Sequence, residues 1–526
     1  MIVFLTAGYI CTLLCLKTRL EGHVHLFRLL VLRRSIDGFT TSFLSLLGFI
    51  GICVWVWSYY YLQEEALYNR FITLLTAFFF SIVLLVMFSN LFISLIGWDA
   101  LGLTSFLLVV YYKNRKCLGS GIITAITNRI GDCFFIILLC FSLSLDTTLR
   151  LSLLLLMRIT KRAQFPFSTW LPAAMAAPTP VRALVHSSTL VTAGVYILIR
   201  YCFSYMWSLV VVGTCTLLVA GICACAESDL KKVVALRTLS QLGVMIVAIG
   251  AQEKSYCFFH LIRHACFKAL LFICVGVCIH SIYGTQDFRN YNALGSSIFL
   301  GVFMSVSNLS LAGFVYTAGF YRKDRILELL QCNEYTSFVV AFFLFGIFLT
   351  TCYSVKLQYM IMYRNRQVGV SSIANGGIGW PIKTPLIALG AASIVFRSDI
   401  INLFIVGLEP SDKYITIFLL LSGILFGSRS PGMNIPILRR FISLTPFSQS
   451  FTSTINTFRV SQKSIDKGWI EVFSFSLSGL VSSISWHYNT VLGIGFCMFF
   501  LFMVFYGKYP QECVVPWTVL WEIPFE

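Results

Sequence analysis

Charge is scarce in this chain. Only 12% of its 526 residues are Asp, Glu, Lys or Arg, against 58% hydrophobic. Soluble domains average about a quarter charged residues. A water-facing globular surface is therefore excluded for most of the chain. Acidic residues are rarer than basic ones, 22 against 39, which leaves a formal net charge of +17. The bases sit in short loops such as KNRK (113–116) and at the ends of apolar runs, where they can meet anionic lipid headgroups. No basic stretch is interleaved with stacking aromatics on a polar surface, so nucleic-acid binding is not expected.

Metal and nucleotide signatures are lacking too. The 18 cysteines are scattered through apolar segments without a CxxC…CxxC array. Cys223 and Cys225 are too isolated to suggest a site, and the thiols read as small buried apolar groups. His260 and His264 have the i, i+4 spacing of a zinc pair, but the stretch is HLIRH. It lacks the glutamate of HExxH and has no third ligand, so neither zinc nor haem is expected. Walker and dinucleotide fingerprints are absent. The N-terminus enters an apolar segment with no basic n-region or small-residue cleavage site, so a cleaved signal is not expected.

Long apolar segments are what the chain has in abundance. A helical span needs roughly 20 such residues, and on the order of 14 or 15 segments qualify. They are too long for the alternation of a transmembrane barrel. The expected fold is an all-α polytopic membrane protein. Spans are predicted near 1–16, 39–61, 70–87, 91–112, 121–145, 148–160, 183–203, 206–226, 230–251, 256–282, 335–361, 383–407, 413–427 and 488–506.

Two stretches interrupt this pattern. KRAQFPFSTWLPAAMAAPTPVR (161–182) carries Pro166, Pro172, Pro178 and Pro180, more than a continuous helix accommodates. Apolar segments flank it, so it reads as an interrupted helix at membrane depth, packed in protein or lining a wet cavity. SLAGFVYTAGFYRKDRI (310–326) is weakened by glycines, with Lys323 close behind. Paired interruptions in two halves point to an internal repeat and a transport pathway. Residues 436–473 differ again. Phe447, Phe451, Ile455, Phe458, Ile465, Trp469 and Val472 recur at helical spacing among polar residues. That is an amphipathic helix roughly 50 Å long, lying along the membrane or against other helices.

The few charges inside apolar segments are the candidate functional groups. Asp99 lies near the middle of LFISLIGWDALGLTSFLLVVYY (91–112). A charge at the centre of a span costs about 2.5–3.5 kcal/mol by insertion scales, so Asp99 needs a base. Lys161 and His186 are the candidates nearby, followed by Lys231, Lys232, His264, Lys268, Lys323 and Lys383. Arg129 and Asp132, three apart on one helix face, are expected to pair with each other. An ammonium in a poor dielectric tends to lose its proton, and a nearby carboxylate restores it. An Asp99–Lys161 contact that tightens and loosens would make the lysine hold and release a proton. His186 reads equally as a hydrogen-bonded core histidine. Lys231 and Lys232 stand at a span start, where helix-end anchoring competes with a buried role. Lys323 lies between Arg322 and Asp324, so a loop cluster competes there.

The motifs GWDALGLTSF, NRIGD, TWLPAAMAAPTPVRALVHSSTLVTAG, SDLKKVVALRTLSQLG, HACFKALLF and GFYRKD occur in an order that closely resembles the antiporter-like membrane subunits of respiratory complex I and their Mrp-type cation/proton antiporter relatives. The resemblance is strong over about 35–330 and looser beyond. It implies two inverted five-helix repeats, at 69–203 and 204–362, after N-terminal helices at 1–68. Additional spans at 363–430, a lateral amphipathic helix at 431–475, a final span at 476–507 and a tail at 508–526 would follow. It implies a proton path through Asp99, Lys161, His186, Lys323 and Lys383; the residues themselves offer Lys231, His264 and Lys268 as candidates for further members and Arg129–Asp132 as a structural ion pair. It also implies a place at the distal end of the membrane arm of NADH:ubiquinone oxidoreductase in the mitochondrial inner membrane. There the partners would be other membrane-arm subunits, above all the neighbouring antiporter-like one, together with lipids including cardiolipin. No cofactor is expected on this chain; NAD, FMN, iron–sulfur clusters and ubiquinone would belong to other subunits. The chain departs from the family in having Asp99 where many relatives have glutamate, Ala176 for the glutamate of AMEGPTPV, and Arg182 for a small residue. The part before Asp37 is some tens of residues shorter than usual, so one N-terminal helix fewer is expected. A stand-alone sodium/proton antiporter subunit, or a cap that moves nothing, would use the same sequence differently.

Overall fold

Apolar runs of this length dictate helices, because only a helix satisfies its own backbone polar groups without water. The computed structural model describes residues 20–26, 30–63, 65, 67–88, 91–140, 153, 155–157, 159–165, 167–168, 170–201, 207–281, 284, 286–290, 298–314, 319–332, 337–363, 379–395 and 410–429, with some side chains inside these ranges excepted. Nine helices among the described residues are long and apolar enough to cross a membrane. The expected spans at 1–16 and 488–506, the lateral helix at 431–475 and the tail lie outside the described residues.

The first described elements form an antiparallel hairpin, β1 (Leu20–Leu26) and β2 (Leu30–Ile36), in the register Leu20↔Ile36 to Leu26↔Leu30. The hairpin apart, the described elements are helical as expected; only part of the N-terminal helices expected over 1–68 is replaced by strands. The stretch LEGHVHL alternates polar and apolar residues at period two, the pattern of a strand rather than a helix. Four long helices follow: α1 (Gly38–Tyr61), α2 (Tyr68–Met87), α3 (Leu91–Val109) and α4 (Arg115–Cys140).

The proline-rich stretch then breaks up the helix as predicted. Residues 155–157 and 159–161 are helical, and the chain turns at Ala163 with φ +56°. A single turn at Trp170–Ala173, a 3₁₀ turn at Ala174–Ala176, a short turn at Thr179–Val181 and a π-helical stretch at Arg182–Thr189 lead into α5 (Leu190–Tyr201). Helices α6 (Trp207–Ala226), α7 (Leu230–Gly250) and α8 (Lys254–Ser281) follow. The second interruption separates α9 (Ile298–Ala312) from α10 (Phe320–Cys332). Helices α11 (Ser337–Gln358), α12 (Trp380–Val395) and α13 (Pro410–Arg429) complete the described part.

Burial divides these helices into a centre and a rim. The most apolar window of α7 is buried throughout, and that of α8 nearly so, whereas α2, α3 and α4 bury 39% or less of theirs. Small residues let the central helices approach closely. A Cβ at Gly243 of α7 would lie 2.7 Å from the Gly213 carbonyl oxygen of α6, the small-residue contact on which membrane helix packing depends. Yet α7 and α8 also carry Arg237, Gln241, His260, Arg263, His264 and Lys268, all buried. The most enclosed helices thus hold a row of polar groups.

Candidate functional site

Lys161 ends the helical part before the first break. The Gln164 amide donates to the Ile159 carbonyl at 3.2 Å and the Ala163 amide to Thr160 at 3.3 Å, closing the helix end. Such a closure places one residue in the left-handed region, here Ala163. The Trp170 indole N–H donates to the Thr160 carbonyl at 2.9 Å, and the Arg162 guanidinium donates to the Gly194 carbonyl of α5. The lysine therefore projects from a fixed end and is itself buried.

Its ammonium donates to the Trp98 carbonyl at 2.5 Å, lies 4.0 Å from the centroid of the Trp98 ring and 3.6 Å from Asp132 Oδ1. The carboxylate partner of Lys161 is thus Asp132, not Asp99. Asp99 instead pairs with Arg129 at 2.6 Å, and Arg129 also reaches Asp132 at 3.5 Å. The expected Arg129–Asp132 pair is present and the direct Asp99–Lys161 pair is corrected. One helical turn on α4 separates Arg129 from Asp132, so the arginine spans both acids while Asp132 faces inward. The result is a row of alternating sign, Asp99–Arg129–Asp132–Lys161. It runs from half-exposed side chains (41% for Asp99, 52% for Arg129) to a lysine at 1%.

Further groups lie along the centre. His260 and His264 stack loosely, with ring centroids 6.1 Å apart. The ring nitrogens of His264 and the ammonium of Lys268 are buried without a hydrogen-bond partner among the described residues. Arg237 donates to Asn308 Oδ1 at 2.8 Å and lies 5.2 Å from the Tyr353 ring centroid, and the Tyr353 hydroxyl is 2.8 Å from Ser240 Oγ. Sequence reasoning missed this Arg237–Asn308–Tyr353 group; a polar residue on each of three apolar spans was its only signal.

Lys323 follows the second break and is buried, so the competing loop-cluster reading does not describe it. Its ammonium donates to Ala312 O at 2.7 Å, to Leu311 O at 3.4 Å and to Thr350 Oγ1 of α11 at 2.9 Å. Lys232 is half-exposed and pairs with Asp229 at 2.9 Å, while Lys231 is half-buried. Lys383 is half-buried on α12, 5.8 Å from the Trp380 ring centroid. The structure does not bring it into an ion pair among the described residues. His186 falls in the π-helical stretch, and its side chain lies outside the described residues. No group of three or more His, Cys, Asp or Glu is placed to hold a metal among the described residues.

Comparison with known proteins shows the family and the fold. Residues 88–350 match the transmembrane family described as NADH:quinone oxidoreductase/Mrp antiporter. NADH-ubiquinone oxidoreductase chain 5 of Anopheles quadrimaculatus is 36% identical over 479 residues, covering 83% of each chain. The same-named protein of Lumbricus terrestris is 42% identical over 328 residues, covering 59% of this chain and 57% of that one. Among solved structures, a chain of an Mrp complex from a Dietzia species superposes with a TM-score of 0.69 at 21% identity, over 97% of this chain and 60% of that one. A chain of an archaeal membrane-bound sulfane sulfur reductase superposes with a TM-score of 0.68 at 17% identity, over 82% of this chain and 92% of that one. Those two likenesses show the fold. With half of the chain inside the family match and a relative 36% identical over 83% of each chain, the chain belongs to the NADH:quinone oxidoreductase/Mrp antiporter family of membrane proteins.

Proposed function

We propose that the chain is the proton-translocating, antiporter-like subunit at the distal end of the membrane arm of NADH:ubiquinone oxidoreductase, a multi-pass protein of the mitochondrial inner membrane. The observation that carries this reading is the alternating row Asp99–Arg129–Asp132–Lys161 on spans α3 and α4 and the first break. Intramembrane charges are costly and are retained for ion and proton pathways.

Arg129 is shared between two acids. While it sits on Asp99, Asp132 is left to Lys161 and the ammonium is stabilised. When it closes on Asp132, Lys161 loses its carboxylate in a poor dielectric and gives up its proton. From there the path runs through His186, His264 and Lys268 to Lys323, with Lys231 and Lys383 as further stations. The partnerless nitrogens of His264 and Lys268 support a hydrated course, since buried polar groups need a partner or ordered water. The two interruptions, at 161–182 and 310–326, support inverted repeats at 69–203 and 204–362.

The half-exposed Asp99–Arg129 pair supports a covering partner. Isoleucines of α4 such as Ile122, Ile126 and Ile130 are exposed like the pair itself. Bare lipid would leave the two charges unsolvated, so the neighbouring antiporter-like subunit covers them, clamped by the lateral helix at 431–475. Basic loop residues contact cardiolipin. Electrons travel through NAD, FMN, iron–sulfur clusters and ubiquinone held by other subunits.

Replacing Lys161 with methionine removes the ammonium and keeps the apolar stem. In inner-membrane vesicles, the protons moved per electron should fall while the complex stays assembled. An unchanged ratio in assembled Lys161→Met complex would sink the assignment.

A further inference from the structure

Lys323 sits in a cage of oxygens whose parts have separate origins. Helix α9 stops at Ala312 because Gly313 turns left-handed, with φ +77°. The amides of Gly313 and Phe314 both donate to the Leu309 carbonyl, at 3.1 and 3.2 Å. The carbonyls of Leu311 and Ala312 are left over, as the last carbonyls of a helix are, and lie at its negative end. Lys323 takes both. The third oxygen belongs to another helix: Thr350 Oγ1 of α11, fully buried.

That hydroxyl is already committed as a donor, to the Ile347 carbonyl at 2.8 Å. A hydroxyl has one proton and two lone pairs. Thr350 therefore accepts from the ammonium while it donates to its own helix. If Lys323 becomes a neutral amine, the same hydroxyl can turn its proton from Ile347 to the amine lone pair. The two main-chain carbonyls cannot do this, since they only accept. One other charge acts on Lys323, and as an ionised carboxylate it has no proton to donate to the neutral amine. Asp324, the next residue on α10, is the charged neighbour acting on Lys323. Helix α9 carries no titratable side chain. On α11, Tyr353 is engaged with Ser240 and Arg237, and Lys356 donates to the Cys225 carbonyl.

We propose that Thr350 is a positioning residue that sets how tightly Lys323 holds its proton and keeps the lysine in place when the proton leaves. This rests on Lys323 lying on the proton path. Thr350→Val keeps the shape and removes the hydroxyl, so the ammonium loses one of three acceptors. Proton affinity at Lys323 should weaken by about three- to ten-fold, moving the alkaline limb of the pumping profile down by about 0.5 to 1 pH unit.

The test is proton pumping and electron transfer measured in parallel across pH, in inner-membrane vesicles holding the assembled complex. The expected result is that limb displaced to lower pH in Thr350→Val, with wild-type behaviour in Thr350→Ser. The proposal is overturned by a wild-type profile in Thr350→Val while Lys323→Met loses pumping. It is equally overturned if Val and Ser variants lose activity alike with no displacement, which is a packing effect. Full pumping in Lys323→Met would instead remove the reading beneath it. Should the Val complex fail to assemble, Thr350→Ala decides by the same criteria.

Discussion

Lys161 and Lys323 each sit beside a helix break and each is buried, yet their charges are met by different chemistry. Lys161 faces a full carboxylate, Asp132, whose own partner Arg129 is shared with Asp99. Lys323 is held by two main-chain carbonyls and a hydroxyl. A carboxylate can be drawn away by a competing base, so the first lysine sits in a field that switches. A helix end cannot be drawn away, so the second sits in a field that is fixed apart from one rotatable O–H. This difference suits a lysine that responds to a neighbouring subunit and a lysine that passes a proton on.

The comparison is broken most severely at Asp132. Asp132→Asn leaves Lys161 buried without a carboxylate, and breaking a buried pair costs about 3–5 kcal/mol. Loss of assembled complex, or assembled complex that transfers electrons without pumping, is expected on native gels and in vesicle assays. Wild-type behaviour in both would mean that Asp132 does not hold the lysine. A smaller disturbance is Gly131→Ala. A Cβ there would collide with the Thr160 hydroxyl and stand 3.2 Å from the Met157 carbonyl, pushing α4 from the helix end that carries Lys161. Overpacking of this kind costs about 1–3 kcal/mol. Thermal melting of the purified complex should drop and pumping weaken; an unchanged melt would show that the end yields freely.

Arg129→Gln sharpens the comparison at lower cost. The Arg129–Asp99 pair lies at the half-exposed edge of the row, and Lys161 keeps Asp132 when Arg129 is gone. Assembly should stay near wild type while protons per electron decrease, because the shared base is gone. Equal loss of stability and pumping would argue for a purely structural pair.

The smallest effect lies outside the membrane-spanning helices, where Asp229 and Asp287 bridge the turn before α7 to the segment after α8. The hydrogen bond that protonated Asp287 donates to the Asp229 carboxylate, with burial second, raises Asp287 above the ordinary carboxylate range. A raised acid favours the folded clasp when protonated. Its contribution is present below the unfolded carboxylate pKa and is lost as pH rises through the folded one. Amides of Leu230 and Phe288, which donate across this clasp, should exchange more slowly at about pH 4 than at about pH 8 after correction for intrinsic rates. Asp287→Asn should flatten that dependence, and equal protection at both pH values would count against the shared proton.

Much of the architecture was readable in advance because hydropathy needs no partner. Runs such as Ser337–Gln358 must be helical wherever they sit. The prolines of 161–182 forbid a continuous helix for a reason local to the backbone. Partnership was less readable. Asp99 lies near the centre of its span and Lys161 on the break, so pairing them was natural. Arg129 and Asp132, one turn apart, were instead inserted between them. Thr350 gave no sign at all, since a threonine in a span commonly bonds its own helix, and this one does.

The sequence by itself determined a polytopic helical protein with two interruptions and a sparse set of buried charges, because transfer free energy and backbone hydrogen bonding act segment by segment. Which charge meets which was decided only by the tertiary structure. Ion pairs depend on distances of a few ångströms between separate helices, and the rotation of α4 about its axis fixes those distances for Asp99 and Lys161 alike.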